Sequence, residues 1–208
     1  MSATLDALVP LSFLEAVRSV DSPDGDLEAE FVNELRAKRF GLSDTVYAQI
    51  QRYNEAVKRS IRPPQEEAVA LATLIGRRPD AETIFRAAGR YVARETYQRI
   101  PLPTRQMISL FPSLLSRPMA LTWTRKIAER YWGGAVRRSG GHLLLEVPSS
   151  VTVESAPQSL GCTYYEESLH ELLHLLGAAS GRVVHVRCAA RGEGNCEWRV
   201  DWRAIAAA

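Results

Sequence analysis

Cysteine is scarce in this chain: three among 208 residues, too few and odd in number for a disulfide framework. No uninterrupted apolar stretch approaches the roughly 18 residues that a membrane-spanning helix needs. The opening MSATLDALVPLSFLEAV carries Asp6 and no basic leader, so it does not read as a secretory signal. The expected compartment is the cytoplasm, where thiols stay reduced. Net charge is nearly absent at +2, which excludes a polyelectrolyte. No G-x-G-x-x-G follows a strand pattern and no P-loop occurs, so no nucleotide site is expected. With charge near balance and no base-reading motif, nucleic acid is not an expected partner. There is no internal repeat.

What is present is an ordinary globular composition, 46% hydrophobic and 24% charged. The length suffices for a core that folds without disulfide staples. Residues 1–78 read as a helical N-terminal extension. Leu27, Phe31 and Leu35 share one face over 26–39, and Val46, Ile50, Tyr53 and Val57 do so over 44–59. The run AVALATLIG forms a third helix ending at Gly76. The first 30 residues hold seven acids against Arg18 alone, which suggests a solvated, weakly anchored arm.

Residues 79–208 form the second unit. Asp80 is placed to cap a helix with Ile84, Phe85, Ala88 and Val92 inward. The Arg99-Ile100-Pro101-Leu102-Pro103 run breaks that helix. A short helix over 104–115 follows, then one over 118–132 with Pro118 in its first turn, stopped by Gly133-Gly134. Alternation predicts two short strands within 142–154. Thr163 and Glu166 have capping-box spacing, opening a helix that buries Tyr165, Leu169, Leu172, Leu173 and Leu176 until Gly177. A hairpin closes the pattern, with one strand over 182–190 and a turn at Gly192-Glu193-Gly194-Asn195. Its second strand places Cys196, Trp198, Val200 and Trp202 on one face. The order predicts an α+β fold, with N-terminal helices packed on a small antiparallel sheet.

All three cysteines fall in the last quarter, at Cys162, Cys188 and Cys196, with His185 between them. Three thiolates and one imidazole are an accepted tetrahedral zinc set, and four protein ligands make such a zinc structural. A plain buried core and a Cys188–Cys196 disulfide stand as alternatives. His185 and Cys188 have opposite parity on a regular strand, so joint ligation requires a bulge or strand end.

A second motif competes. His170-Glu171-Leu172-Leu173-His174 has zinc-peptidase spacing, with Glu171 as general base. Serine stands at 180 where a third histidine is wanted, and Glu193 is the other conceivable third ligand. The histidines lie off the leucine face, so a solvated helix face is the preferred reading.

Residues 99–138 hold eight Arg or Lys and one acid, Glu129, interleaved with Phe111, Trp123, Tyr131 and Trp132. Such a segment suits a planar ligand with carboxylates, or an anionic membrane surface. The alternative is that Arg125, Lys126 and Arg130 form a solvated face offsetting the acidic arm.

The spacing Cys162-x22-His185-x2-Cys188-x7-Cys196, with Gly192 and Gly194 before the last cysteine and Trp198 after it, resembles the 4-vinyl reductase domain family. Ala88-Gly89, the 99–103 run, Phe111-Pro112 and Tyr131-Trp132-Gly133-Gly134 are similar to its bacteriochlorophyll branch. The resemblance spans about residues 80–202. It implies a TRAPP-like ligand-binding fold, a homodimer, and a zinc held by the three cysteines. His185 stands where the family's sensor domains use glutamate. It further implies binding or processing of a tetrapyrrole, a chlorophyll precursor, in bacteriochlorophyll biosynthesis. Trp123, Arg125, Tyr131, Trp132 and Tyr165 are then the expected ligand-facing residues. Lacking a nucleotide or redox-cofactor signature, the chain is expected to be at most an accessory to vinyl reduction. The alternative from the same family is a non-enzymatic sensor of a small hydrophobic ligand.

Overall fold

The computed structural model describes residues 3–22, 43–111, 113–178 and 181–202, without the side chains of 113–115 and 158. The helix expected over 26–39 therefore lies outside the described residues. Among those described, seven helices precede or surround one four-stranded antiparallel sheet, an α+β arrangement.

Helix α1 (Leu8–Asp21) corrects the expectation of a solvated arm for residues 3–22; Asp24, Asp26, Glu28 and Glu30 lie outside the described residues. Leu8, Leu11, Phe13, Leu14 and Val17 are fully buried, each contributing about 1.5–3 kcal/mol. Its acids are paired rather than solvated. Asp6 accepts the Leu8 N–H at 3.1 Å and meets Arg130 at 3.1 Å, and Asp21 meets Arg78 at 2.6 Å. Ahead of it, Leu5 N–H donates to Pro63 and Gln65 N–H to Ala3, so the chain start is tied down.

Helices α2 (Asp44–Lys58) and α3 (Gln65–Gly76) follow the apolar spacing, and Ser43 caps α2 through the Val46 N–H. Helix α4 (Ala81–Gln98) buries Ile84, Phe85, Ala88 and Val92 as expected. Asp80 does not cap it; its carboxylate pairs with Arg78 at 2.8 Å instead. After α5 (Leu102–Leu110), helix α6 (Ser113–Ile127) carries Pro118 in its interior rather than its first turn. A proline one turn inside removes a single backbone bond, which the surrounding helix tolerates. The chain then widens into a π turn (Ala128–Trp132) and stops at Gly133, whose φ of +61° favours glycine.

Of the two strands expected within 142–154 the first forms, as β2 (His142–Val147), but its hairpin partner is the upstream β1 (Ala135–Ser139). Residues 151–156 are turns. A 3₁₀ turn (Pro157–Cys162) leads into α7 (Thr163–Leu175). The capping box does not form: the Thr163 hydroxyl donates to the Leu160 carbonyl at 2.6 Å, and Glu166 faces Arg86. The expected leucine face of α7 is buried, and the chain turns at Gly177 with φ +59°. Strands β3 (Val184–Arg187) and β4 (Cys196–Asp201) complete the sheet in the order β1-β2-β4-β3.

One line of rings runs through the core. Phe85 meets Phe13 edge-on at 6.1 Å, Phe13 meets Tyr164 at 5.1 Å, and Tyr164 meets Tyr165 at 5.0 Å. Tyr165 then lies 5.0 Å from Trp198 on β4. The line thus joins α1 and α4 to the sheet through α7.

Helices α4 and α7 approach closely at Gly89. A Cβ there would stand 2.5 Å from the Tyr164 carbonyl oxygen and 3.0 Å from the Ser168 nitrogen, both backbone atoms that cannot swing aside. Alanine gains about 1 kcal/mol of helix propensity over glycine. Overpacking costs typically about 1–3 kcal/mol, and here it falls on backbone. Gly89→Ala is therefore expected to lower stability despite its better helix propensity. Chemical denaturation measures this, and an unchanged or raised midpoint would show that the helices can separate freely.

Candidate metal centre

Each ligand of the cluster is placed by a different element. Cys162 ends the 3₁₀ turn and stands at the start of α7, His185 lies on β3, Cys188 follows that strand, and Cys196 opens β4. The Cys162 and Cys188 sulfurs are 3.9 Å apart, and the ligand atoms of all four residues lie within 4.8 Å of one another. A disulfide requires about 2.05 Å, and the three cysteines are free thiols. Two sulfurs bound tetrahedrally at ~2.3 Å from one zinc stand about 3.8 Å apart. The observed separation matches metal ligation. This group can hold a metal ion.

The parity conflict between His185 and Cys188 resolves as the sequence required. The β3–β4 register shifts between His185 and Arg187, and Cys188 lies past the end of β3. The strand is shorter than 182–190 because the chain turns into a 3₁₀ element, Ala189–Arg191. That turn points backbone donors at the cluster. The Ala189 N–H donates to the Cys196 sulfur at 3.4 Å, and the Cys188 N–H donates to Glu193 Oε2 at 2.8 Å. Cys188 also closes its own loop, its carbonyl accepting from the Arg191 and Glu193 amides.

His185 stacks on Trp198 at 4.8 Å and 13° between planes. Its Nε2 is buried without a hydrogen-bond partner. A buried polar atom without a partner is costly, and ligation removes that cost. Charge at the sulfurs is shared unequally. The hydrogen bond to Cys196 and burial push the Cys162 thiol far up. The same contact with Cys162, helped by His185 and the Ala189 amide, holds Cys196 well below the usual thiol range. Binding a metal through all three sulfurs requires their thiol protons to leave.

Ser159 was not legible from sequence as part of this centre. Its hydroxyl lies 3.2 Å from the Cys188 sulfur, and its backbone adopts φ +61° to reach there. A serine three residues before a cysteine has no signature that marks this role. Second-layer partners of this kind orient ligands and tune the metal.

The His-Glu-Leu-Leu-His segment is not such a centre. His170 and His174 are exposed, and Glu171 accepts from Arg94 at 2.7 Å on α4. Glu193 is engaged by Cys188 and Arg191 in the hairpin loop. Ser180 lies outside the described residues. Among the described residues, the only group spaced for a metal is the Cys₃His one.

The expected ligand-facing residues are held by separate neighbours. Tyr165 is buried between Tyr164 and Trp198, its hydroxyl accepting the Val151 N–H at 3.2 Å. Trp132 is buried. Tyr131 lies under the Arg99 and Arg130 guanidiniums at 5.8 and 5.2 Å. Trp123 is covered by Lys126 at 4.8 Å, and Arg125 donates to the Val136 carbonyl at 3.1 Å. Arg125, Lys126 and Arg130 are exposed, and Arg130 does offset an N-terminal acid, Asp6. A markedly apolar groove, about 220 Å³, lies instead between α1 and α3, lined by Leu14, Val17, Leu71, Leu74 and Ile75 with Arg78 beside them.

No protein-family model matches this chain, and no curated protein matches it. Among the described residues no helix is long and apolar enough to cross a membrane.

Proposed function

We propose that this chain is a zinc-stapled α+β domain of the 4-vinyl reductase type, working in the cytoplasm on a tetrapyrrole of chlorophyll synthesis. The Cys₃His cluster carries the reading. Its spacing resembles that of the family, and its four ligand atoms converge within 4.8 Å. Zinc is the metal that tetrahedral sulfur and nitrogen ligands favour without redox chemistry. With four protein ligands no coordination position is left for substrate, so the metal serves the fold. The chain binds or delivers its pigment, and any reduction falls to a partner that brings the electrons.

A tetrapyrrole is flat, apolar and edged with carboxylate. Trp123, half-buried beside Lys126, offers an aromatic face with a cation alongside, and the Arg99 and Arg130 guanidiniums lie close by over the buried Tyr131 ring. The groove between α1 and α3 suits such a ligand less well. Its volume falls below the ~300–1,000 Å³ of ordinary ligand pockets.

The test is a titration of the purified protein with magnesium protoporphyrin, followed by absorbance. A saturable spectral shift at micromolar pigment is expected, and Arg99→Ala with Arg130→Ala weakens it about tenfold or more, the loss of two charge-assisted contacts. Absence of any shift overturns the tetrapyrrole assignment while leaving the metal centre standing.

A further inference from the structure

Helix α5 is built the wrong way round for a helix of a freely dissolved protein. It buries one side chain, Ile108. Its exposed positions are Leu102, Pro103, Gln106, Met107, Ser109 and Leu110, and Phe111 follows them. At 100° per residue these span one continuous face from Ser109 to Met107, with Gln106 and Leu110 at its centre. That face carries no charge. Of nine large hydrophobic side chains exposed in the described residues, four lie within this ten-residue stretch, and Leu110 is 81% accessible. A cluster of that kind marks a contact surface, whereas single exposed hydrophobics do not.

Along its own segment of the chain the charge is of one sign. From Arg99 to Ala128 the sequence holds no Asp or Glu. Arg99 precedes the helix, Arg105 lies on its flank over the Tyr97 ring, and Arg117 stands on the neighbouring α6. Further along α6, Arg125 and Lys126 are exposed. An apolar face within a basic segment repels a second copy of itself and complements an anionic, apolar-cored surface.

We propose that the outward face of α5 docks this protein on an anionic lipid bilayer, lying in the interface plane. Leu102, Met107, Leu110 and Phe111 enter the acyl boundary, and the arginines meet the headgroups. At nine residues the helix is far too short to span, so attachment is peripheral and reversible. Each cation near the surface adds attraction that salt screens. The proposal depends on neither the metal nor the pigment.

The experiment uses the full chain and sedimentation with vesicles of phosphatidylcholine alone, or with about one third phosphatidylglycerol, a strongly anionic surface. Binding is expected to the anionic vesicles and not the neutral ones, and to fall steeply as salt is raised. Leu110→Glu and Met107→Glu should each weaken it about tenfold or more, since one buried leucine or methionine carries at least that factor. Tyr47→Glu, at an exposed position on α2, should leave it unchanged. Both α5 variants must keep the wild-type circular dichroism, which the exposure of these side chains favours. Equal binding to neutral vesicles, or insensitivity to both α5 variants, overturns the proposal. So does light scattering that shows a dimer which Leu110→Glu dissociates, since that assigns the face to a second copy.

Discussion

Cys196→Ser is expected to abolish stoichiometric metal and to lower the melting temperature by about 10 °C or more. Cys196 is fully buried at the start of β4, opposite Val147, and its sulfur accepts the Ala189 N–H. A serine hydroxyl is neither a soft ligand nor an anion at neutral pH, so the tetrahedron loses a corner. Loss of a structural metal belongs among the few changes that cost more than about 4 kcal/mol. In a chain of this length each kcal/mol moves the midpoint by roughly 2–4 °C. The loss should be partial rather than complete unfolding. The core of α1, α4 and α7 is large, and Cys162 and the aromatic line join it to the centre. Metal analysis and thermal melts with and without a chelator check this. His174→Ala should keep its metal; if instead it loses metal while Cys196→Ser retains it, the metal has been assigned to the wrong cluster.

Trp198→Ala is expected to be the most damaging core substitution, costing about 3–5 kcal/mol, or roughly 6–20 °C. This indole is fully buried, sits opposite Leu145, and is flanked by Tyr165 and His185. Alanine leaves a large void at the point where the helical core meets the sheet. It also removes the surface against which the His185 ring is held. Outer-layer losses of that kind weaken metal binding by about 10–100-fold. Trp198→Phe should cost much less. It keeps a ring in place and deletes an indole N–H that is buried without a partner. Competition with a chromophoric chelator reads the affinity, and thermal melts read the stability. If Trp198→Ala changes neither, the aromatic line does not couple core and centre.

The legible parts of this structure are those written in local periodicity. The inward faces of α2, α4 and α7 follow from spacing alone, as does the alternation of β4. The metal group was legible because four ligand residues lie close together in sequence, and the parity rule even required the break that β3 shows at His185. What failed was reasoning from averages. Seven acids in 30 residues suggested a solvated arm, but Asp6 and Asp21 reach Arg130 and Arg78, over 50 residues away in sequence. Between them LVPLSFLEAV is apolar nearly all round, the mark of a buried helix. The caps expected at Asp80 and Thr163 do not form, and each side chain bonds elsewhere, Asp80 to Arg78 and Thr163 to the Leu160 carbonyl. Ser159 shows the remaining limit, since only the folded chain brings it to Cys188.

The central claim is that Cys162, His185, Cys188 and Cys196 bind one zinc together. Zinc-edge X-ray absorption of the purified protein tests it most directly. The expected spectrum has three sulfur neighbours at about 2.3 Å and one nitrogen at about 2.0 Å. A shell of nitrogen and oxygen alone, or zinc-supplemented protein that binds no zinc, would contradict it.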